Sequence, residues 1–468
     1  MSRGPKPLGA EHPRVRRACP GVAAPMTTGD GLLMRVRHPI GGLDAAQARI
    51  LAEVALRFGS GDLELTSRGN LQLRGLDTPG LETARAELEA AGLADRDPEA
   101  EAVRIVLVAP ATDIDPEAAM DVQPIARQLA RALGATPRLR ALPPKVGVLV
   151  EAGGGLPLGR VPADLRLEAC TGPGGVWIRV AVGASAHAAT VLGWARPEKA
   201  VDAALQVLEQ FVALRQGDPD PPGRLPGALA RFGAKALTPP GLERVLPGGD
   251  PVAARSSENA DSGIGACLNG DAFGVAFPFG SLRAEALRGL AEQIRGQEGR
   301  LRLTPWRSVL LVGARPITLD RLAEWGGVTD PRDPRLVVSA CVGQGGCSAG
   351  TTFTRADAAM LGTAARGLLA DDEYLHVSGC EKHCGRPANA RVVLAARAGH
   401  YDLSLQSAPA HWEALLEGLS PDQLRAALSA LEQITHAERV GMLAALRRLG
   451  PTDLRRRLNA MMNNGEET

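Results

Sequence analysis

The chain runs to 468 residues, enough for about three domains with buried cores. Its 53 lysines and arginines balance 52 aspartates and glutamates, and the net charge of +1 argues against bulk attraction to nucleic acid or an anionic membrane. Aromatic residues, at 3%, are too few to stack a strand of bases, and no apolar run reaches the roughly 18 residues of a membrane-spanning helix.

The opening residues, MSRGPKPLGAEHPRVRR, lack the apolar stretch of a secretory leader, so the expected location is the cytoplasm, where disulfides are rare. Residues 32–76 then read strand, helix, strand and hairpin-like strand, from LLMRVR through ARILAEVAL and LELT to LQLRGL. Residues 104–214 alternate strands (VRIVLVAP, KVGVLVEAG, VWIRVAVG) with helices (DVQPIARQLARAL, EKAVDAALQVLEQFVAL), an α/β unit without paired cysteines. Residues 217–263 are rich in Pro and Gly with little periodicity, and read as a long connection.

Residues 273–313 repeat the first pattern. Leu43 matches Leu282, LAE at 51–53 matches LAE at 290–292, and LELT at 63–66 matches LRLT at 301–304. This is one long internal duplication rather than a short-period solenoid, and two such small halves are expected to pair into one domain.

A second α/β unit follows. RLVVSA (335–340) is strand-like and ends at Cys341. The stretch 354–370 has helical spacing, with Thr354 and Asp357 placed like a capping pair, and EYLHVS (373–378) is a strand leading to Cys380. A β-α-β crossover makes the two strands parallel, so C-x5-C (Cys341, Cys347) and C-x3-C (Cys380, Cys384) would leave their carboxyl ends, where open α/β sheets place ligands. Four thiolates there suit an iron–sulfur cluster. Structural zinc, which prefers C-x2–4-C spacings, and four unrelated core thiols are the competing readings. Cys19, Cys170 and Cys267 show no grouping and read as core thiols.

GQGGCSAG (343–350) fails the dinucleotide fingerprint, since the third glycine position holds Ser348. A redox enzyme of this sequence therefore needs a separate electron donor. The tail from Pro421 is helical, and Arg447, Arg448, Arg455, Arg456 and Arg457 read as a solvated face.

The order half, α/β unit, half, α/β unit with both cysteine motifs resembles the sulfite and nitrite reductase superfamily over residues 16–405. RRACPG (16–21), TGDGLLMRVR (28–37), TSRGNLQLRGL (66–76), RLTPWRSVLL (302–311) and HVSGCEKHC (376–384) are similar to the precorrin-3B synthases within it. Sulfite reductases more often carry Gln after the motif arginine and Pro-Asn in the second cysteine motif, where this chain has Gly69 and Glu381-Lys382.

The resemblance implies an α+β, duplicated reductase-like architecture. Its expected parts are a ferredoxin-like half at 16–90, an α/β unit at 91–216, the connection at 217–263, a second half at 264–330, the cysteine-bearing α/β unit at 331–410 and a helical tail at 411–468. It implies that Cys341, Cys347, Cys380 and Cys384 bind a [4Fe-4S] cluster. By motif match Arg35, Arg104 and Lys145 fall on catalytic anion-binding positions, while a further lysine position falls on Gly147. Arg68, Asn70 and Gln72 match positions near the macrocycle, and Arg74 and Arg307 are added as substrate-binding candidates.

The implied reaction is O2-dependent hydroxylation of precorrin-3A at C20 with γ-lactone formation, in aerobic cobalamin synthesis. The implied partners are precorrin-3A, O2 and a separate electron-donor protein drawing on NADH or NADPH, with no nucleic acid and no membrane. A mononuclear non-haem iron is implied besides the cluster; His376 and His383 read as strand and loop residues rather than its ligands. The alternative is a sulfite or nitrite reductase, in which sirohaem would bridge to Cys384.

Overall fold

The computed structural model describes residues 20–37, 39–245, 263–294, 299–314, 317–370, 372–408, 411–438 and 442–464; Cys19 and the first residues of RRACPG lie outside them. The chain is a mixed α+β structure that divides into two units, Met1–Ala24 with Asp95–Ala260 and Pro25–Ala94 with Asp261–Thr468.

The unit that begins at Pro25 opens with β1 (Met26–Thr28), β2 (Gly31–Val36), α1 (Ala45–Phe58), β3 (Asp62–Leu65), β4 (Leu71–Leu76) and α2 (Leu81–Ala90). Helix α1 starts at a capping box: Asp44 accepts from the Gln47 amide and the Gln47 side chain accepts from the Asp44 N–H. Its buried stripe is Ala48, Leu51, Ala52, Val54 and Ala55.

The chain then forms the other unit. Its elements are α3 (Pro98–Val103), β5 (Val106–Val108), α4 (Gln123–Ala135), β6 (Val148–Glu151), β7 (Leu165–Gly172), β8 (Gly175–Val182), β9 (Thr190–Ala195), α5 (Ala200–Gln216), α6 (Leu225–Phe232) and α7 (Ala234–Leu237). Strands β5, β6 and β7 are parallel, and β8 and β9 continue antiparallel in the order β5-β6-β7-β8-β9. Helices α6 and α7 lie in the stretch expected to be a plain connection. Pro226 sits in the first turn of α6 and Gly233, with φ 78°, ends it, so these breakers mark helix boundaries instead of the absence of helix. Residues 246–262 lie outside the described residues.

Returning to the first unit, the chain forms β10 (Gly265–Cys267), β11 (Ala272–Ala276), β12 (Ser281–Arg283), α8 (Ala284–Gln293), β13 (Arg300–Leu303), β14 (Ser308–Val312) and α9 (Leu319–Glu324). The two halves interlock by exchange. Strand β12 pairs with β3, Leu282 opposite Leu63, and Leu43 bridges to Leu301 with N–H···O distances of 2.8 and 2.9 Å. Leu43 and Leu282 are counterparts in the duplication, as are Leu63 and Leu301, so each half makes the same gift to the other. All four leucines are buried, worth about 1.5–3 kcal/mol each against exposure. Helices α1 and α8 pack together over the exchange.

The last stretch has β15 (Val338–Ala340), α10 (Thr354–Leu368), β16 (Tyr374–Ser378), β17 (Ala390–Arg397), β18 (His400–Ala408), β19 (His411–Leu419), α11 (Pro421–Ala437) and α12 (Met442–Asn464). Its sheet, β15-β16-β17-β18-β19, has two parallel pairings followed by two antiparallel ones, the same plan as β5 to β9. The core under the cysteine loops joins Val338, Val377, Leu394 and Tyr401 of the sheet to Leu361 of α10 and Leu424, Leu428 and Leu431 of α11. The tail arginines serve the surface: Arg448 and Arg457 pair with Glu438, Arg456 with Asp453, and Arg455 donates to the carbonyls of Leu415 and Ala414.

Across β6, β7 and β8 runs a buried charge ladder. Arg166 donates to Glu168 (2.6 Å) and to the carbonyls of Val161 and Leu158, while Arg179 pairs with the other Glu168 oxygen. Glu151 stands 3.9 Å from Arg166, and its Oε2 has no hydrogen bond among the described residues. Burial first, and then the Glu168 carboxylate, push Glu151 up from 4.5 to about 7. The folded chain therefore holds a proton that the unfolded chain releases above pH 4.5, and this contribution to stability is lost as pH rises from 4.5 to about 7. We predict a loss on the order of 2 kcal/mol across that window, and its disappearance in Glu151→Gln, both read from denaturant midpoints against pH.

Candidate functional site

Strands β15 and β16 lie side by side and parallel, and both cysteine pairs leave their carboxyl ends. The strand before Cys341 is shorter than its β-branched run suggests, because Pro334–Val337 forms a 3-10 turn. Cys341 stays tied to the sheet through its N–H to the Val377 carbonyl (3.1 Å). The loop then folds on itself. Cys347 N–H donates to Gly343 O, Gln344 N–H to Thr352 O and Thr351 N–H to Gly379 O, which joins the first cysteine loop to the second. Gly343 has φ 69°, and a Cβ there would stand 2.5 Å from Thr354 Oγ1. The glycines of GQGGCSAG thus serve close backbone packing.

Thr354 and Asp357 do not cap α10. The cap position is Phe353, without a side-chain bond, and Thr354 is already helical. Its hydroxyl donates to the Cys341 carbonyl (2.6 Å), and Asp357 accepts from the buried Tyr401 hydroxyl (2.5 Å), which also reaches Thr352 Oγ1 (2.7 Å). Tertiary partners beneath the cysteine loop outcompete the local capping geometry.

The four thiols share one neighbourhood. Gly379 N–H donates to Cys341 Sγ (3.2 Å). Desolvation, then the charges of Cys380, Cys341 and Cys347, raise the pKa of Cys384, with Lys382 opposing. Four free thiols this close resist ionising together, and a cation bound among them would relieve that repulsion. Among the described residues, no set of three His, Cys, Asp or Glu side chains is arranged to hold a single metal ion. The donor set, four thiols on two neighbouring loops at adjacent strand ends, is of the chemical type that an iron–sulfur cluster takes. Cys170 and Cys267 are buried elsewhere, Cys170 with its thiol pushed up to about 11 by burial.

Two histidines lie under the same loops. His376, fully buried on β16, bonds Ser339 through Nδ1 (3.2 Å), while its Nε2 has no partner among the described residues. Burial, then His383, Arg307 and Arg386, push it down to about 3, so it is neutral. His383 has a left-handed backbone (φ 49°) and a buried Nδ1 without a bond among the described residues.

The first half presents a polar row across its sheet. Arg35 on β2 lies opposite Gln72 on β4, Gln72 opposite Glu64 on β3, and Glu64 opposite Ser281 on β12. The Gln72 amide, oriented from its partners, accepts from Arg35 Nη2 (2.7 Å) and Nε (3.2 Å) and donates to Glu64 Oε2 (3.0 Å). This leaves Arg35 Nη1 uncommitted among the described residues. Arg355, from the start of α10, joins the row by pairing with Glu64 and bonding Ser281 Oγ (3.2 Å). Arg74 is 4% exposed and already committed to Asp30, Glu64 and the Gly346 carbonyl. Gln72 and Arg74, expected as substrate ligands, thus have their polar groups occupied by the protein.

Asn70 is buried in the β3–β4 hairpin, and Arg68 is half-buried at its tip. Arg307 holds φ 61° in the matching β13–β14 hairpin, with no side-chain hydrogen bond or ion pair among the described residues. Asp30, Glu64 and Arg355 escaped the sequence reading. For Glu64 the signal was strand alternation, since it interrupts an apolar strand on the face that Gln72 and Arg35 share; Asp30, in a turn, and Arg355, on a helix, carried no such signal.

Arg104 and Lys145 belong to the other unit. Arg104 ends α3 and pairs with Asp95, and Lys145 is exposed before β6. Gly147 is buried, its N–H donating to Asp164 Oδ2 (2.9 Å) and its carbonyl accepting from Asp164 and Leu165. Among the described residues, no helix is long and apolar enough to cross a membrane.

A family model for the nitrite/sulfite reductase ferredoxin-like half domain matches residues 24–91. A precorrin-3B synthase from a Sinorhizobium species is 33% identical over 409 residues, 84% of this chain and 83% of that protein. A ferredoxin–nitrite reductase from Leptolyngbya laminosa is 34% identical over 98 residues, 21% of this chain and 19% of that protein. The solved structure of the Mycobacterium tuberculosis NirA protein covers 90% of this chain and 84% of its own, with a TM-score of 0.70 and 20% identity, a likeness of fold alone.

Tyr401→Phe tests the floor of the cysteine loops. Leaving Asp357 without its buried donor, and the Thr352 hydroxyl without its partner, should cost about 1–3 kcal/mol, with faster amide exchange at Gln344 and Thr351 than in α11; uniform exchange would show that the floor does not govern the loops.

Proposed function

The chain belongs to the precorrin-3B synthase family, and from that premise we propose that it is an oxidoreductase acting on precorrin-3A. The proposed reaction is O2-dependent hydroxylation at C20, with the ring A acetate closing a γ-lactone to give precorrin-3B in cobalamin synthesis. One oxygen atom enters the substrate and the other leaves as water. A separate donor protein drawing on NADH or NADPH supplies the electrons.

The observation that carries the reading is the gathering of four thiols at the carboxyl ends of two adjacent parallel strands, in a chain of this family. Cys341, Cys347, Cys380 and Cys384 would hold a [4Fe-4S] cluster, which when bound passes single electrons. The residues around it have separate tasks. The Gly379 amide stabilises negative charge on Cys341 Sγ. His376, kept neutral by burial, adds no positive charge beneath the loop. The resemblance also implies a mononuclear iron; no donor set for a lone ion is present among the described residues.

Precorrin-3A carries many carboxylates, and the arginines are its proposed partners. Arg35 offers Nη1 while Gln72 fixes its other edge. Arg307, strained and without an ion-pair partner among the described residues, is a second proposed donor; Arg68, Arg104 and Lys145 remain proposed on their motif positions. Gly147 lacks the cation that the sulfite reductase pattern places there, and its backbone is already bonded. A small oxyanion has few other contacts to offset that loss, whereas a tetrapyrrole has many. This favours the tetrapyrrole over sulfite or nitrite.

Each Cys→Ser variant at the four positions should lose the brown absorbance, its iron and sulfide, and turnover. If all four single variants kept full iron and sulfide, the ligand assignment would be wrong. Arg35→Ala should lower kcat/KM for precorrin-3A roughly ten- to a hundred-fold, the loss of one charge-assisted bond. The purified protein should consume oxygen with precorrin-3A. Strong sirohaem bands together with rapid anaerobic formation of sulfide or ammonia would replace this reading by the reductase one.

A further inference from the structure

The motif TGDGLLMRVR spans the turn between β1 and β2, and that turn lies against the backbone of Cys347. A Cβ on Gly29 would stand 2.7 Å from Ser348 N and 2.8 Å from the Cys347 carbonyl carbon. Asp30, next in the turn, accepts from Thr28 Oγ1 (2.6 Å) and from Arg74 Nε (2.9 Å) and Nη2 (3.0 Å). Arg74 Nη2 also donates 2.6 Å to the carbonyl of Gly346, the residue before Cys347, and Nη1 reaches Glu64 at 3.3 Å. A Cβ on Gly346 would meet Arg74 Nη2 at 3.0 Å and Val342 Cγ2 at 2.3 Å. Glycine at 346 therefore lets the guanidinium approach the loop.

We propose that Arg74 is the positioning residue of Cys347, clamping the far end of the first cysteine loop to the sheet that carries Arg35. This rests on the reading of Cys347 as a cluster ligand. The near end of the loop is tied to β16 through Cys341 and crossed by Thr354. The far end takes its long-range side-chain anchor from Arg74, 272 residues distant in sequence from Gly346. A planar guanidinium spans Asp30, Glu64 and the carbonyl at once; an ammonium is a point charge and does not. Through Glu64 and Gln72 the same clamp touches Arg35, so the loop and a proposed substrate donor share one rigid base.

The test uses full-length, metal-free protein and iodoacetamide, with the labelling rate of each cysteine read by mass spectrometry. Arg74→Lys keeps a cation between two partly buried carboxylates, which protects folding, but loses the clamp. Cys347 should label roughly ten-fold faster, the equivalent of one charge-assisted bond, with Cys380 and Cys384 unchanged. A wild-type rate at Cys347 in Arg74→Lys would make Arg74 a counter-charge only and overturn the proposal. Should Arg74→Lys not fold, Asp30→Asn removes one anchor while leaving Arg74 in place. The same Cys347-specific acceleration supports the clamp, and an equal change at all four cysteines rejects it. Iron and sulfide content of the reconstituted wild type tests the cluster reading separately. A protein that takes up no cluster yet accelerates only at Cys347 would fail that reading and keep the clamp.

Discussion

The polar row around Glu64 and Arg74 depends on the exchange between the two duplicated halves, a strand given one way and a single β-bridge the other. Strand β12 enters the sheet of the first half beside β3, and Leu43 pairs back with Leu301. The exchange puts Ser281 opposite Glu64, which completes the polar row, and Arg355 bonds to both. Without β12 at that edge, Glu64 would lose a neighbour and Arg355 one of its two acceptors. A duplicated fold thus makes a base that neither half makes alone.

The polar row is costly, and its composition shows how the cost is met. Glu64 and Arg74 sit where water is scarce, and an unpaired charge there would cost several kcal/mol. Glu64 is held by Arg74, Arg355 and Gln72; Arg74 is held by Asp30, Glu64 and a carbonyl. Such networks are costly to leave half-made, so they specify one arrangement. Among the described residues, what is left without a bond is informative: one nitrogen of Arg35, the side chain of Arg307 and one buried ring nitrogen on each of His376 and His383.

Much of this architecture was legible in the sequence because it is written in local periodicity. The strands and helices of both halves, and the matched LELT and LRLT segments, follow from apolar spacing. The parallel order of β15 and β16 follows from the helix between them. What escaped was decided by partners far away in the chain. Thr354 and Asp357 look like a cap, but Cys341 and Tyr401 claim them first. Arg74 looks like any motif arginine until Gly346, distant in sequence, closes on it. The helices within 217–245 escaped because Pro and Gly were counted as breakers without asking which end of a helix they favour.

The paired hairpins have diverged at one point. Thr66 and Thr304 make equivalent turn bonds, and the residues three further on, Gly69 and Arg307, take φ of 65° and 61°. Glycine adopts that backbone freely; arginine does so at a cost of about 1–2 kcal/mol. A programme of stabilisation guided by internal symmetry would copy glycine from the first hairpin into the second and gain that strain back. It would also remove an unpaired cation that one half alone retains. At this symmetric position thermostability would compete with the proposed substrate-binding role of Arg307, and engineering for one should be checked against the other.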